Sequence, residues 1–421
     1  MPRLWLDASP LRDSTAFRRL WTGDLLAASG SQFAAVALPY QVYRQTGSSL
    51  QVGLIGLAAL GPLLLGSMTA GAIADAFDRR RLLLASQAAQ AVGCVFLAVL
   101  AASGQPPLLL LYLLAAAMAF ASSIESPVRN AVIPSLVGLR RVPAAAALGQ
   151  TVDQVSHIAG PAVAGLLLAG FGITTTYAAG AAGFAVAMVV ALGLPPLLPV
   201  GEAVAPGWGA LMDGLRFAGG QPALLGTFLV DLNAMVFGMP RALFPALAAG
   251  TFHVGPVGLG LLYAAPAAGA LAAALFSGWV SAVVRQGAAV IAAVVAWGAA
   301  IAVFGLVPGD LFWLALALLA VAGAADVISA VFRNTIMQQV APDSMRGRMS
   351  ALHIAVVAGG PRLGDAESGV VASVTSVQFS VVSGGVICIA GAAVLQLLLP
   401  ALGRYRRPRP GPELRVPALE D

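Results

Sequence analysis

The sequence predicts an all-α membrane protein in which twelve transmembrane helices form two six-helix bundles. Of its 421 residues, 59% are hydrophobic and only 10% are charged, whereas a soluble domain usually has about 25% charged residues. Apolar stretches long enough to span a bilayer recur along nearly the whole chain. In lipid such stretches form helices, because every backbone group must be hydrogen-bonded within its own segment.

Loop signals between the apolar runs predict spans near residues 18–43, 50–77, 82–103, 107–129, 143–170, 174–197, 222–248, 255–283, 286–307, 310–340, 347–374 and 377–402. These spans give an N-terminal bundle over 18–197 and a C-terminal bundle over 222–402. The linker 198–221 contains an amphipathic helix that is expected to lie along the membrane surface. Residues 1–17 lack the apolar core of a signal peptide and are predicted to be cytoplasmic. Residues 403–421, rich in proline and charge, predict a disordered cytoplasmic tail.

The arginines predict the orientation. With a cytoplasmic N terminus, the loops on the other side of the membrane receive only Arg44, while arginine clusters fall on the cytoplasmic side. Arginine near helix ends resists translocation, so both termini are predicted to be cytoplasmic in the plasma (inner) membrane. The arginines lie in short loops and not on one groove-lining face, which argues against a nucleic-acid partner. The expected partners are the bilayer, a small-molecule substrate and protons, and the protein is expected to be monomeric.

An internal repeat supports two related halves. The fourth predicted span contains IESPVRNAVIP (124–134) and the tenth contains ISAVFRNTIMQ (328–338), which align Arg129 with Arg333. Their separation matches one six-helix half, as expected for parallel repeats in a transporter. Either these arginines have a role inside the membrane, where a charge needs a partner, or they mark the cytoplasmic ends of their helices.

The loop after the second span reads GAIADAFDRRR, with Gly71, Asp75 and Arg79 at its key positions. A glycine lets another helix approach closely, and a carboxylate can accept hydrogen bonds from a helix N-terminus. This pattern resembles the signature motif of the major facilitator superfamily, and the resemblance implies the major facilitator fold.

The resemblance also implies a breakable charge network that holds the outward-open state. In it Asp75 would face the start of the eleventh span near Arg346, and Arg79 would pair with Glu125, a neighbour of Arg129. The second half has Ala282 where an acid might sit, so the latch is expected in the first half only. A purely structural role for Asp75 and Glu125 stays open. The predicted network comprises Gly71, Asp75, Arg79, Glu125, Arg129, Arg333 and Arg346.

The fifth span contains GPAVAG, with Gly160, Pro161 and Gly165. It is similar to the antiporter motif of drug exporters in this superfamily, in which glycine and proline make a pliable helix. An ordinary face of small packing residues is the alternative. The segments ESPVRNAVIPSLV, PDSMRGRMSALH and GGPRLGDAESG are similar to the enterobactin-exporter branch. That resemblance implies efflux of siderophores or other amphipathic compounds, coupled to proton entry.

Charges within spans cost at least about 2.5 kcal/mol each and point to function. Asp153 lies about 15 Å into the fifth span, and Asp231 lies at a similar depth in the seventh. Because burial favours the neutral form of a carboxyl group, these two rank first for proton coupling. Asp24 is expected near water at the end of its helix, and Arg362 and Asp365 can pair at i, i+3. The predicted coupling or cavity residues are Asp153, His157, Asp231, Asn233, Asp326, Arg362 and Asp365.

These observations predict a secondary active exporter of amphipathic small molecules, siderophore-like or drug-like, working by proton antiport and alternating access. The alternatives are an importer or uniporter of the same fold, and a transport-inactive sensor or scaffold. No nucleotide-binding loop, metal-ligand spacing or nucleophile elbow occurs in the sequence. The protein is therefore not expected to be an enzyme, and neither a cofactor nor a metal site is predicted.

Overall fold

The computed structural model describes residues 7–198 and 208–407, and within these ranges the chain is helical, without β-strands. Nine helical segments there are long and apolar enough to cross a membrane. One of them, Leu139–Leu192, contains two spans, and the more polar helices Thr15–Thr46 and Arg346–Val374 are also long enough. Together these segments give the twelve transmembrane helices that the sequence predicts.

The N-terminal bundle comprises α1 (Thr15–Thr46), α2 (Ser49–Ala76), α3 (Arg79–Ala102), α4 (Leu108–Val137), α5 (142–171) and α6 (173–192). Helices α5 and α6 are parts of one segment, Val142–Leu192, which breaks at Gly172. Gly172 has a φ of +81°, a left-handed conformation that glycine adopts without a steric penalty. The chain therefore reverses between α5 and α6 almost without a loop.

Side-chain caps explain where several of these helices begin. The Ser14 hydroxyl accepts the Phe17 N–H at the start of α1, and Ser48 accepts the Gln51 N–H at the start of α2. At the start of α3, the Asp78 carboxylate accepts the Arg80 N–H and also that of Leu197, both at 3.0 Å. Asp78 thus joins the beginning of α3 to the segment that follows α6.

The C-terminal bundle comprises α7 (Pro222–Phe237), α8 (Gly255–Leu275), α9 (Gln286–Phe304), α10 (Phe312–Val340), α11 (Arg346–Val374) and α12 (Val377–Leu398). The seventh span continues past α7 as three short turns, Arg241–Leu243, Phe244–Ala246 and Leu247–Thr251. The sequence predicts one uninterrupted helix here. Pro240 and Pro245 interrupt it, because proline lacks the amide hydrogen that a helix interior needs.

Several other predicted boundaries differ from the structure. The sixth span is predicted to end at residue 197, but α6 ends at Leu192. The fourth span is predicted to end at residue 129, but α4 continues to Val137 because Arg129 is paired inside the bundle and does not mark a helix end. Helix α8 ends at Leu275, and Ser277–Ala282 forms a tighter 3₁₀ turn. Helix α12 ends at Leu398 and is followed by the short helix Pro400–Arg404.

The linker contains a helix at Trp208–Gly219. Its Asp213 carboxylate lies 3.6 Å from the Arg348 guanidinium of α11, and Leu211 and Phe217 pack with Met349. The linker helix is therefore attached to the C-terminal bundle. Residues 1–6, 199–207 and most of the predicted disordered tail, 408–421, lie outside the described residues.

The two bundles meet along two seams, α2 with α11 and α5 with α8. We call the side where α1 begins and α12 ends the basic side, and the opposite side the far side. On the far side, Gly53 packs against the backbone of Asp365, and a Cβ placed at Gly369 would lie 2.8 Å from the Ser49 carbonyl. Across the other seam, a Cβ at Gly165 would lie 2.6 Å from the Pro256 carbonyl. Backbones touch at both seams, so the bundles are closed against each other on the far side.

Close backbone contact also determines the packing of α8 against α10. A Cβ at Gly269 would overlap the Ala320 carbonyl, and one at Gly323 would overlap that of Pro266. We expect Gly269→Leu to destabilise the fold by about 3 kcal/mol or more, since overpacking at a backbone contact forces the helices apart. The loss of stability is measured by heating the protein in detergent and recording by size-exclusion chromatography how much folded protein remains. Gly149→Leu, whose Cβ position has no atom within 4 Å, is the control, and equal unfolding temperatures of the two variants would contradict the prediction.

Candidate functional site

A cavity of about 520 Å³ lies between the two bundles and is lined by residues of both. Its volume is within the range of small-molecule sites, about 300–1,000 Å³. Part of the wall is apolar and includes Val36, Phe244, Trp297, Ile301 and Leu319. The polar lining residues are Gln32, Asp153, Gln154, His157, Arg241, Asp326, Arg362 and Asp365.

In the N-terminal bundle, Arg129 of α4 joins two carboxylates. It donates a hydrogen bond to Asp24 of α1, and its Nη2 lies 3.8 Å from Oδ1 of Asp153 on α5. The Asp24 side chain is 7% exposed and that of Asp153 is 40% exposed. The expectation that Asp24 faces water is therefore wrong. Asp24 is the deep partner of Arg129, and Asp153 is the partner that faces the cavity.

The C-terminal bundle has a similar arrangement around Arg333 of α10. Its Nη2 lies 2.9 Å from Oδ1 of Asp231 on α7 and 3.8 Å from Oδ1 of Asp326 on its own helix. Its Nη1 also donates to the Ser329 hydroxyl at 3.0 Å. Arg333 and Asp231 are 5% and 2% exposed, whereas Asp326 is 29% exposed and lines the cavity. Arg333 is thus enclosed in the protein and does not mark a helix end in water.

The repeated arrangement identifies a residue that sequence reasoning undervalues. Asp24 precedes Arg129 by 105 residues, and Asp231 precedes Arg333 by nearly the same distance. Aligning the two halves of the sequence on their arginines therefore brings Asp231 to within three residues, less than one helical turn, of the position that matches Asp24. In both halves the deep aspartate comes from the first helix of the bundle and the arginine from the fourth.

The predicted coupling residues do not all reach the cavity. Asp231 is enclosed with Arg333, and Asn233 donates to the Cys388 carbonyl of α12 at 2.9 Å, so Asn233 belongs to a helix contact. His157 lines the cavity beside Asp153, and its Nδ1 lies 2.9 Å from the Asp153 carbonyl oxygen. Asp326 also lines it. The predicted coupling residues that line the cavity are therefore Asp153, His157, Asp326, Arg362 and Asp365.

The expected pair between Arg362 and Asp365 is not formed. Arg362 Nη1 donates to the Ala358 carbonyl at 2.6 Å, on the preceding turn of the same helix. The Asp365 carboxylate accepts the Ala242 N–H at 3.1 Å. Asp365 thus connects α11 to the turn after α7. The Ala242 amide is nearer to the Asp365 carboxylate than the Arg362 guanidinium is.

The network implied by the loop GAIADAFDRRR differs from its prediction. Asp75 lies on α2, one turn after Gly71. Arg79 Nη2 lies 3.5 Å from Oδ1 of Asp75, and Arg79 Nη1 donates to the Ala131 carbonyl at 3.2 Å. Glu125 instead accepts hydrogen bonds from the side-chain amides of Gln90 and Gln87 on α3, at 2.7 and 3.4 Å. The predicted pair of Arg79 and Glu125 is therefore wrong for this conformation, since the α3 amides occupy the carboxylate.

The start of α11 is not engaged by this network. Arg346 is exposed and pairs with Asp343 of its own loop at 2.9 Å. A Cβ at the adjacent Gly347 would meet no atom within 4 Å. The Gly347 face of this helix end therefore has open space in the conformation described, whereas the next residues, Arg348 and Met349, contact the linker helix.

The glycines of GPAVAG form close helix contacts. A Cβ at Gly160 would lie 2.6 Å from the side chain of Gln32 on α1, and Gly165 and the Pro161 carbonyl meet Gly260 of α8. These contacts match the packing alternative for this motif. They also place the motif in the α5–α8 seam, where the bundles touch.

The family model described as a transmembrane secretion effector matches residues 7–409. The chain belongs to this family. Transmembrane secretion effectors are membrane transporters of the major facilitator type, so the predicted membership is confirmed.

Curated relatives agree with this membership. The chain is 32% identical over 414 residues to the enterobactin exporter EntS of Citrobacter koseri, covering 97% of each protein. It is 31% identical over 411 residues to EntS of Escherichia coli O1:K1, covering 96% of this chain and 97% of that one. Both relatives match along nearly their full length, so the resemblance is not limited to one bundle.

Solved structures show the same fold. A mutant form of the peptide transporter POT has a TM-score of 0.75 at 13% identity, covering 94% of this effector and 96% of that chain. The nucleoside transporter NupG has a TM-score of 0.72 at 15% identity, covering 93% and 100%. At such low identity these likenesses extend to the architecture alone.

Proposed function

We propose that this transmembrane secretion effector is a proton-driven secondary exporter of amphipathic small molecules of the siderophore type. Relatives that match 96–97% of its length are named enterobactin exporters, and its cavity has both apolar walls and charged side chains. Alternating access would come from rocking of the two bundles about the cavity. Import would use the same parts in the opposite direction, and the experiment below distinguishes it.

The observation that supports proton coupling most is the ratio of ion-pair partners around Arg129 and around Arg333, two aspartates to one arginine in each case. One guanidinium compensates one carboxylate, and a second carboxylate nearby is repelled by the first. The enclosed aspartate has the closer contact in both bundles. The cavity-facing aspartate, Asp153 or Asp326, is therefore the group whose proton would be gained and lost during the cycle.

The arginine distribution supports a cytoplasmic basic side, with both termini inside. The far-side seams are closed in the structure, so the conformation corresponds to an inward-facing state under this assignment. The latch of Asp75, Arg79 and Arg346 would then form in the outward-facing state, when the basic ends of α2 and α11 approach. Glu125, held by α3 amides, would support α4 in both states.

Transport in proteoliposomes tests the coupling. We expect an imposed pH gradient to drive iron-free enterobactin against its concentration gradient, in exchange for protons. In the double variant Asp153→Asn/Asp326→Asn, the rate of gradient-driven transport should fall by about 10-fold or more. A carboxamide does not gain or lose a proton near neutral pH. It should retain gradient-free exchange of enterobactin across the membrane, because the cavity keeps its shape.

Asp310→Asn is the matched control, because Asp310 is an exposed far-side carboxylate outside the cavity and outside the proposed latch. Gradient-driven transport by the double variant equal to that of the control would refute the assignment of Asp153 and Asp326. Enterobactin movement in the same direction as protons would indicate import instead.

A further inference from the structure

The far-side roof of the cavity has an excess of positive charge. Arg241 lies in the turn after α7, and Arg362 and Asp365 lie on α11. All three line the cavity. At the roof itself two guanidinium groups thus lie near one carboxylate, while the Asp153 and Asp326 carboxylates line other parts of the same cavity.

Neither roof arginine is neutralised by a close acid. Within residues 7–198 and 208–407, no carboxylate oxygen lies within 4.0 Å of the Arg241 or Arg362 guanidinium. The nearby Asp365 carboxylate accepts the backbone N–H of Ala242, and Arg362 donates to a carbonyl of its own helix. The Arg241 side chain is exposed in the cavity. Asp365 and Asp326 interact with Arg241 through space, but neither makes a close pair with it, so among the described residues the Arg241 guanidinium keeps N–H donors that an anionic ligand can use.

The backbone around Arg241 is well supported. The Tyr263 hydroxyl donates to the Arg241 carbonyl at 3.2 Å, and the Trp297 indole N–H donates to the Gly238 carbonyl at 2.7 Å. Asp365 accepts the next amide, that of Ala242. Helices α8, α9 and α11 therefore hold this turn in place, so the backbone that carries Arg241 has a fixed position at the roof.

Apolar surface lies beside these charges. Trp297, Ile301 and Phe244 line the same cavity. A guanidinium presents paired N–H donors that match the two oxygens of a carboxylate or the oxygens of a sulfonate. We propose that the roof binds the anionic head group of an amphipathic organic anion, with Arg241 as the main contact and Arg362 as the second. This inference rests on the proposed function only in taking the bound anion to be the transported substrate.

Equilibrium binding in nanodiscs, without any gradient, tests the charge preference. The probes are dansylglycine, a carboxylate, and its uncharged methyl ester, with binding to empty nanodiscs subtracted. We expect the wild-type protein to bind the carboxylate about tenfold more tightly than the ester, the effect of one charge-assisted contact. Arg241→Gln should reduce this preference to less than about twofold, while Arg241→Lys should retain most of it.

Arg44→Gln is the control, because Arg44 is an exposed far-side arginine that does not line the cavity. If Arg241→Gln does not fold, Arg362→Gln gives the same test with a smaller expected loss. The inference would be overturned if the wild type bound both probes equally, or if it bound no carboxylate up to about 1 mM. An unchanged preference in the folded glutamine variants would also overturn it. Anion preference without proton-linked transport would refute the proposed function and leave the anion site supported.

Discussion

Replacing Gly53 with leucine is expected to abolish transport. The Cβ position of Gly53 on α2 overlaps the backbone carbonyl of Asp365 on α11. A leucine there cannot be accommodated while the far-side seam is closed, so the bundles stay apart on that side. Under the alternating-access mechanism proposed above, the closed state becomes rare, and transport should fall by about 100-fold or more.

Gly61→Leu on the same helix is the control for this variant, because its Cβ position has no atom within 4 Å. Spin labels at positions 109 and 374, whose leucine and valine are exposed, would report the far-side opening by electron–electron distance measurement. A longer distance in the Gly53 variant, with the control unchanged, is the expected result. Wild-type distance and transport in the Gly53 variant would show that the seam does not close during the cycle.

Replacing Arg333 with glutamine is expected to prevent stable folding of the C-terminal bundle. Asp231 is 2% exposed and loses its only close cation among the residues described, with Asp326 nearby to repel it. Removing one partner of a buried ion pair typically costs about 3–5 kcal/mol, which is comparable to the whole stability of many proteins, about 5–15 kcal/mol. The measurement is the yield of monodisperse protein in detergent and its unfolding temperature.

The double variant Arg333→Gln/Asp231→Asn separates folding from function. It removes both buried charges and should recover most of the lost stability, because no unpaired carboxylate remains on α7 against α10. It should not recover proton-driven transport. Arg346→Gln, which breaks an exposed pair with Asp343, should change stability by less than about 1 kcal/mol. Equal stability of the Arg333 and Arg346 single variants would mean that the buried pair contributes nothing.

The twelve helices are predictable because lipid allows few structures for an apolar chain. The irregular seventh span is not, because Pro240 and Pro245 lie within an apolar run, and proline alone does not say whether a membrane helix kinks or breaks. The end of α4 differs from its prediction because the sequence alone does not distinguish an arginine inside a span from an arginine at the end of a helix. Arg129 can be assigned to the interior only with Asp24 opposite it.

The candidate site is predictable in composition but not in pairing. Asp153, His157 and Asp326 are predicted as ionisable groups within spans, and all line the cavity. Spacing along one helix favours a pair between Arg362 and Asp365, but a backbone amide from another segment is the actual partner of Asp365. Arg241 is absent from the predicted site because it is near a predicted helix end, where arginine is common. Contacts between helices decide these cases, and a single sequence does not specify them.

The ratio of two aspartates to one arginine around Arg129 and around Arg333 also limits how transport can be powered. Under the proposed proton coupling, one proton per cluster balances its charges, so a cycle in which both clusters become neutral moves two protons. Each elementary charge that crosses a membrane held at 100 mV contributes about 2.3 kcal/mol. An exporter that admits protons while releasing an anion transfers net positive charge inward. The electrical potential across the membrane would therefore drive it even where the two sides have equal pH.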